Sequence, residues 1–165
     1  MSINTIKIPE DRLPVLIGTK GSTRRRIEKS TKTKIVITGE EVTIKGDSIN
    51  VLDVENIIKA IGRGFSPENA MLLLDEDNTL SIINLPKSEV ARKRIRSRLI
   101  GTNGKSRRNI ERLTRTHVSV YGKTVSIIGK YENVDMAGQA INKLIKGVPH
   151  RFVYEFLEGK QDERA

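Results

Sequence analysis

One phrase occurs twice in this chain. Leu16-Ile17-Gly18-Thr19-Lys20-Gly21 returns 83 residues later as Leu99-Ile100-Gly101-Thr102-Asn103-Gly104. An Arg-rich stretch follows each copy, Arg24-Arg25-Arg26-Ile27-Glu28 and then Arg107-Arg108-Asn109-Ile110-Glu111. Superposed, Leu13–Lys29 and Arg96–Arg112 agree at 9 of 17 positions, where unrelated segments would agree at about one. A duplication at this spacing divides 165 residues into two units of about 75 residues each. Units that small bury limited apolar surface, so they are expected to pack together rather than hang as separate beads.

The same order of elements is readable in both halves. In the first, alternation over Asn4–Ile8 predicts a half-buried strand. Pro9-Glu10-Asp11 opens a short helix that stops at Gly18, and Ser22 or Thr23 caps a second helix reaching Thr31. Strands at Lys34–Ile37 and Val42–Lys45 flank a turn, and Val51, Val54, Ile57, Ile58 and Ile61 predict a helix over Ser48–Ile61. The second half repeats this with a strand at Thr79–Leu85, helices at Lys87–Leu99 and Ser106–Thr114, strands at His117–Tyr121 and Thr124–Ile128, and a helix at Glu132–Ile145. Gly64-Phe65-Ser66-Pro67 before Leu72–Leu74 matches Gly147-Val148-Pro149 before Phe156-Leu157, so each unit is expected to end in a short extra helix. The expected division is a first domain over 1–75, an acidic linker over 76–78, a second domain over 79–158 and a flexible tail over 159–165.

Charge separates the halves. Residues 1–78 hold 12 Lys+Arg and 12 Asp+Glu, whereas residues 79–165 hold 18 and 8, so the whole net charge of +10 lies in the second half. A surface that was basic only for solubility would spread its charge over both halves; concentration in one points to a polyanionic partner. Other chemistry is thin. The absence of cysteine excludes disulfides, thiolate metal sites and Cys nucleophiles. His117 and His150 stand without paired carboxylates or metal-ligand spacing and read as structural residues, and the acids are scattered beside Lys or Arg. No catalytic residue, metal or cofactor is expected. Gly104-Lys105-Ser106 resembles the end of a phosphate-binding P-loop, but that motif requires a glycine where Leu99 stands. No apolar run nears the roughly 18 residues of a spanning helix, and the N-terminus lacks the regions of a signal peptide, so the expected location is cytoplasmic.

Two glycines bracketing a four-residue loop at the start of a basic helix suit a nucleic-acid backbone. Neither carries a Cβ to hold the main chain away from phosphate, and the helix presents its unpaired N–H groups and positive dipole end there. The order strand–helix–GXXG–helix–strand–strand–helix resembles the type I KH domain in both halves, an α+β fold. That resemblance implies a groove gripping about four unpaired nucleotides, with the GXXG loop against their backbone. The expected principal site in the second domain comprises Arg94, Arg98, Leu99, Ile100, Gly101, Thr102, Asn103, Gly104, Lys105, Arg107, Arg108, Tyr121 and Lys123. Tyr121 would stack on a base, and Ile110, Val118 and Val120 join Leu99 and Ile100 as groove walls or core. A weaker site is expected at Gly18, Thr19, Lys20, Gly21, Arg24 and Arg25, where Glu40-Glu41 at the facing turn would repel phosphate. The basic run before Gly101 has two further readings, the wet face of an amphipathic helix built on Ala91, Ile95 and Leu99, or a targeting signal.

Arg94–Gly101, Val118–Val125 and Gly147-Val148-Pro149-His150 narrow the resemblance to the archaeal and eukaryotic ribosome-assembly KH proteins known as partner of Nob. That family implies single-stranded RNA near the 3′ end of small-subunit ribosomal RNA as ligand. It also implies cooperation with a PIN-domain endonuclease and, in archaea, contact with the alpha subunit of a translation initiation factor. In that family eukaryotic members carry a long N-terminal extension and a degraded first GXXG, so the resemblance implies the archaeal branch as the expectation for this chain. Another RNA-binding role, or a protein adaptor using KH folds for contacts, remains open on the residues alone.

Overall fold

A computed structural model describes residues 1–164, save the side chain of Arg164. The chain divides into two units, Met1–Asp75 and Glu76–Ala165. In the first, β1 (Ser2–Lys7) leads through a 3-10 turn into α1 (Leu13–Ile17), the GTKG loop and α2 (Ser22–Thr31). Then follow β2 (Lys34–Thr38), β3 (Glu41–Gly46), α3 (Ser48–Gly62) and a short α4 (Pro67–Ala70) with a 3-10 turn over Met71–Leu74. The second unit runs β4 (Asn78–Asn84), α5 (Glu89–Ile100), the GTNG loop, α6 (Lys105–Thr114), β5 (His117–Tyr121), β6 (Thr124–Lys130), α7 (Tyr131–Ile145) and α8 (His150–Arg164).

Each unit carries a three-stranded antiparallel sheet, ordered β1-β3-β2 and β4-β6-β5, which leaves β2 and β5 as edge strands. Strand alternation and helix periodicity meet in one core per unit. In the first, Leu16, Ile27, Ile35, Ile44, Val54, Ile58 and Ile61 are fully buried. In the second, Ile95, Leu99, Ile110, Val125, Ile127, Ala137, Ile141 and Leu144 form the cluster, joined by Val153 and Leu157 from α8. The tandem βααββα arrangement expected from the sequence is the fold.

The duplication extends to single hydrogen bonds. Thr31 Oγ1 donates to Ile27 O at 2.7 Å, and Thr114 Oγ1 donates to Ile110 O at 2.6 Å. Glu28 Oε2 accepts from the Ile35 N–H and Glu111 Oε2 from the Val118 N–H, each pinning a helix to an edge strand.

The boundaries shift from expectation in two places. Asn78 is already in β4, paired with Lys130, so it leaves the linker. The second terminal helix is not short: α8 spans 15 residues and absorbs 159–164 of the expected flexible tail, while Ala165 lies outside the described residues. Gln161 Nε2 donates to Leu113 O at 2.6 Å, which ties the last turns of α8 to α6.

Candidate nucleic-acid interface

The two GXXG loops have one backbone shape. Gly18 and Gly101 have φ +75° and +73°, Lys20 and Asn103 both +54°, and Gly21 and Gly104 +77° and +74°. Three left-handed residues in four fold the chain into a knuckle. A Cβ on Gly101 would stand 2.8 Å from both Ser106 N and Ser106 Cβ, so the loop can seat on the first turn of α6 only as glycine. At Gly104 a Cβ would meet only the end of the Arg108 side chain, at 3.0 Å. Two amides at the entry to α6 are bonded within the loop. Gly104 N–H donates to Gly101 O and Lys105 N–H to Thr102 O, so the exposed Thr102-Asn103 segment is what the main chain offers.

The arginines sort by partner. Arg108 Nη1 donates to Asn103 O at 2.5 Å, and Arg25 Nη1 to Lys20 O at 2.7 Å. Each is exposed and folds back over its loop, fixing one positive charge beside the knuckle. Arg107 and Arg24 face elsewhere. Arg107 Nη1 lies 3.0 Å from Glu111 Oε1 and donates to Val118 O at 3.5 Å, and Arg24 Nη1 donates to Ile35 O at 3.2 Å. Both cover the outer edge of a strand. Arg98 also bonds within the fold. Its Nε and Nη2 donate to Leu144 O and Val148 O at 3.2 and 2.8 Å, holding the end of α7. Leu99 is 2% exposed and belongs to the core, whereas Ile100 is 37% exposed at the loop.

Packed beside α6, β5 is an edge strand of its sheet. Val118 uses its outward main-chain groups on Glu111 and Arg107. Alternate residues of an antiparallel strand turn their peptide groups to one side, so Val120 presents its N–H and C=O on the same edge, nearer the turn. Arg96 closes that end, its Nη1 donating to Gly122 O at 3.4 Å. Tyr121 is half-buried and Lys123 exposed at the tip. The first unit has the same strand edge but Thr38 and Glu40 where the second has Tyr121 and Lys123.

Arg94 is on the other side of α5. With Ser97, Arg98 and Gly101 it forms a stripe at helical spacing, bordering an open cleft of about 740 Å³ shared with Thr102, Lys105, Ser106, His150 and Tyr154. Ser106 is 3% exposed, and its Oγ has no hydrogen-bond partner among the described residues, a condition that costs about 1–3 kcal/mol. His150 Nε2 donates to Arg98 O at 2.8 Å. Sequence reasoning missed this cleft because His150 and Tyr154 belong to α8, some 50 residues from the loop. Their i, i+4 spacing was the available signal. Among the described residues no group of His, Asp or Glu could hold a metal, and no helix is long and apolar enough to cross a membrane.

Comparison with known proteins agrees with this geometry. Residues 78–162 match the model for the second KH domain of Pno1, described as a eukaryotic-type KH domain (KH domain type I), and residues 3–60 match the general KH domain model. The KH domain-containing protein MJ0443 of Methanocaldococcus jannaschii is 42% identical over 98% of this chain and 75% of its own length. The pre-rRNA-processing protein pno1 of Aspergillus fumigatus is 33% identical over 61% of this chain, a match spanning 42% of the fungal protein. The crystal structure of Dim2p from Pyrococcus horikoshii superposes with a TM-score of 0.90 at 47% identity, covering 96% of this chain and 99% of that one. A chain of the a/eIF2alpha–aDim2p–rRNA complex from the same organism gives 0.92 at 46% identity, covering 98% and 95%. With both halves matched and relatives aligned along nearly the full sequence, the chain belongs to the Pno1/Dim2 family of tandem KH-domain RNA-binding proteins.

Proposed function

We propose that this protein is a non-catalytic, single-stranded RNA-binding factor in small-subunit ribosome assembly. It grips an unpaired stretch near the 3′ end of the small-subunit rRNA, mainly through its second unit, and presents that stretch for final trimming by a PIN-domain endonuclease. The observation that carries the reading is the pairing, in the second unit only, of a GXXG knuckle covered by an arginine, Arg108, with a cation, Lys123, at the tip of the hairpin whose β5 edge is open. Backbone phosphates would lie along Thr102-Asn103, bases against Ile100 and the Val120 edge, with Tyr121 available for stacking. The first unit is the weaker binder, because Glu40 stands where Lys123 does and Ser22 where Lys105 does. It serves architecture or protein contacts, including the alpha subunit of a translation initiation factor. A homologous chain crystallised with a/eIF2alpha and rRNA supports both partners.

Fluorescence anisotropy of the intact protein tests this with a labelled single strand copied from that 3′ end and, as competitor, its duplex form. The single strand should bind more tightly. With about four to six phosphates neutralised, log affinity should fall against log salt with a slope of roughly −3 to −4. A salt-insensitive affinity, or a preference for the duplex, refutes the proposal.

A further inference from the structure

The β5 hairpin and the cleft bordered by α8 lie on different faces of α5, since Arg96 turns to the hairpin while Arg94, Ser97 and Gly101 border the cleft. We propose that the cleft is a second nucleotide subsite, separate from the β5 edge, in which a phosphate meets Arg94, Lys105 and the Ser106 hydroxyl while the attached base or ribose lies against Tyr154. This rests on the single-stranded RNA reading above and extends the strand's path across the loop.

Three observations carry it. The first is Ser106, 97% of whose surface is covered and whose Oγ is unpartnered among the described residues, at the second position of a ten-residue helix that starts beside the cleft. Ser126 Oγ in β6 is likewise unpartnered, but of the two only Ser106 borders a cleft. The second is chemistry: the cleft combines two exposed cations with a half-buried aromatic ring in about 740 Å³, enough for one nucleotide. His150 completes the aromatic wall, its ring centroid 6.1 Å from that of Tyr154, and its Nε2 bond to Arg98 O fixes the ring.

The third comes from the duplication, which serves as an internal control. At the positions of Arg94, Lys105, Ser106, His150 and Tyr154 the first unit has Asp11, Ser22, Thr23, Pro67 and Met71. Its GTKG loop nevertheless has the same dihedral angles within a few degrees. Thr23 keeps the hydroxyl, but the loop folds without the two cations and the His150–Tyr154 pair, and Asp11 in place of Arg94 would turn a phosphate away. The basic and aromatic lining is an addition of the second unit.

Oligonucleotides of two lengths test the subsite on the intact protein at 0.15 M salt, where exposed charges are screened beyond about 8 Å. A tetranucleotide fills the β5 edge alone, whereas a decanucleotide also crosses the loop. Arg94→Glu and Tyr154→Ala should each weaken the decanucleotide at least tenfold and leave the tetranucleotide within twofold. Ser106→Ala should weaken the decanucleotide while leaving the thermal midpoint of the free protein unchanged or higher, which a purely structural serine would not do. Inorganic phosphate and a nucleoside 5′-monophosphate, titrated against the His150 and Tyr154 proton resonances, separate phosphate capture from nucleotide binding. Shifts with the mononucleotide are expected, and shifts with phosphate alone overturn the base contact. Equal effects on both oligonucleotides, or none on either, overturn the subsite and leave the function standing. Failure of the wild type to bind either oligonucleotide overturns both.

Discussion

Gly104→Asp, paired with Gly21→Asp, separates the two units' contributions to RNA binding. The two glycines have φ values of +74° and +77°, and in each case an added Cβ meets only the end of a flexible arginine, Arg108 at 3.0 Å or Arg25 at 2.9 Å. Backbone strain is therefore matched, about 1–2 kcal/mol for a non-glycine residue in the left-handed region. The electrostatics are not matched. At Gly104 the new carboxylate would face the proposed phosphate path and neutralise Arg108. A carboxylate roughly 5 Å from a phosphate is repelled by about 1 kcal/mol in bulk water and about 3 kcal/mol at an effective dielectric of 20. The affinity of the intact protein for single-stranded RNA should thus fall about fivefold to 150-fold. Gly104→Ala shares the Cβ without the charge and should lose much less. Anisotropy titrations, with circular dichroism to verify that each variant is folded, provide the measurement. An equal loss from Gly21→Asp, or none from Gly104→Asp, would refute the ranking of the units.

Three further outcomes follow from particular contacts. Arg107→Met should lower the thermal midpoint by loosening α6 from β5 yet change RNA affinity by no more than about twofold, whereas Arg108→Met should do the reverse. Arg12→Ala removes the bonds from Nε to Ile61 O at 2.8 Å and from Nη2 to Phe65 O at 2.9 Å. It should cost the first unit about 2 kcal/mol, and a midpoint within about 2 °C of wild type would contradict the holding role. The Glu55 carboxylate is held below its ordinary pKa by the hydrogen bond from Lys59, with help from Asn4 and against partial burial. A depressed carboxylate stabilises the fold above its unfolded pKa and loses that contribution as pH falls through the folded one. Glu55→Gln should therefore flatten the acid limb of the stability curve, and identical pH profiles for the two proteins would show that the contact has no such effect.

The architecture was legible because the duplication and the glycine-bracketed loops survive as local patterns. The division of labour among the arginines was not. A helical run such as Arg107-Arg108 lists cations without showing that one guanidinium faces a strand carbonyl and the next a loop carbonyl. Part of the answer was present in Glu111, four residues beyond Arg107 at ion-pair spacing. Leu99, readable in the sequence as groove wall or core, is core, in line with its four-residue spacing from Ile95. The end of α8 was unreadable for a different reason. Gly159-Lys160-Gln161-Asp162 has the composition of coil, and the turns are kept helical by a tertiary bond from Gln161 to Leu113 O. The cleft escaped notice because the residues that enclose it converge only in the folded chain.

Arg12 and Arg98 anchor the same feature from different places. Ile61 O and Leu144 O are repeat equivalents, as are Phe65 O and Val148 O, yet the repeat partner of Arg98 is Val15 and that of Arg12 is Ile95. Between the two repeats the anchor's position differs by about one helical turn while its target carbonyls coincide. A chimera that exchanged residues one for one between the halves would place two guanidinium groups on one pair of carbonyls or leave the pair bare. Only transplanting the whole segment ahead of the loop would keep each half intact.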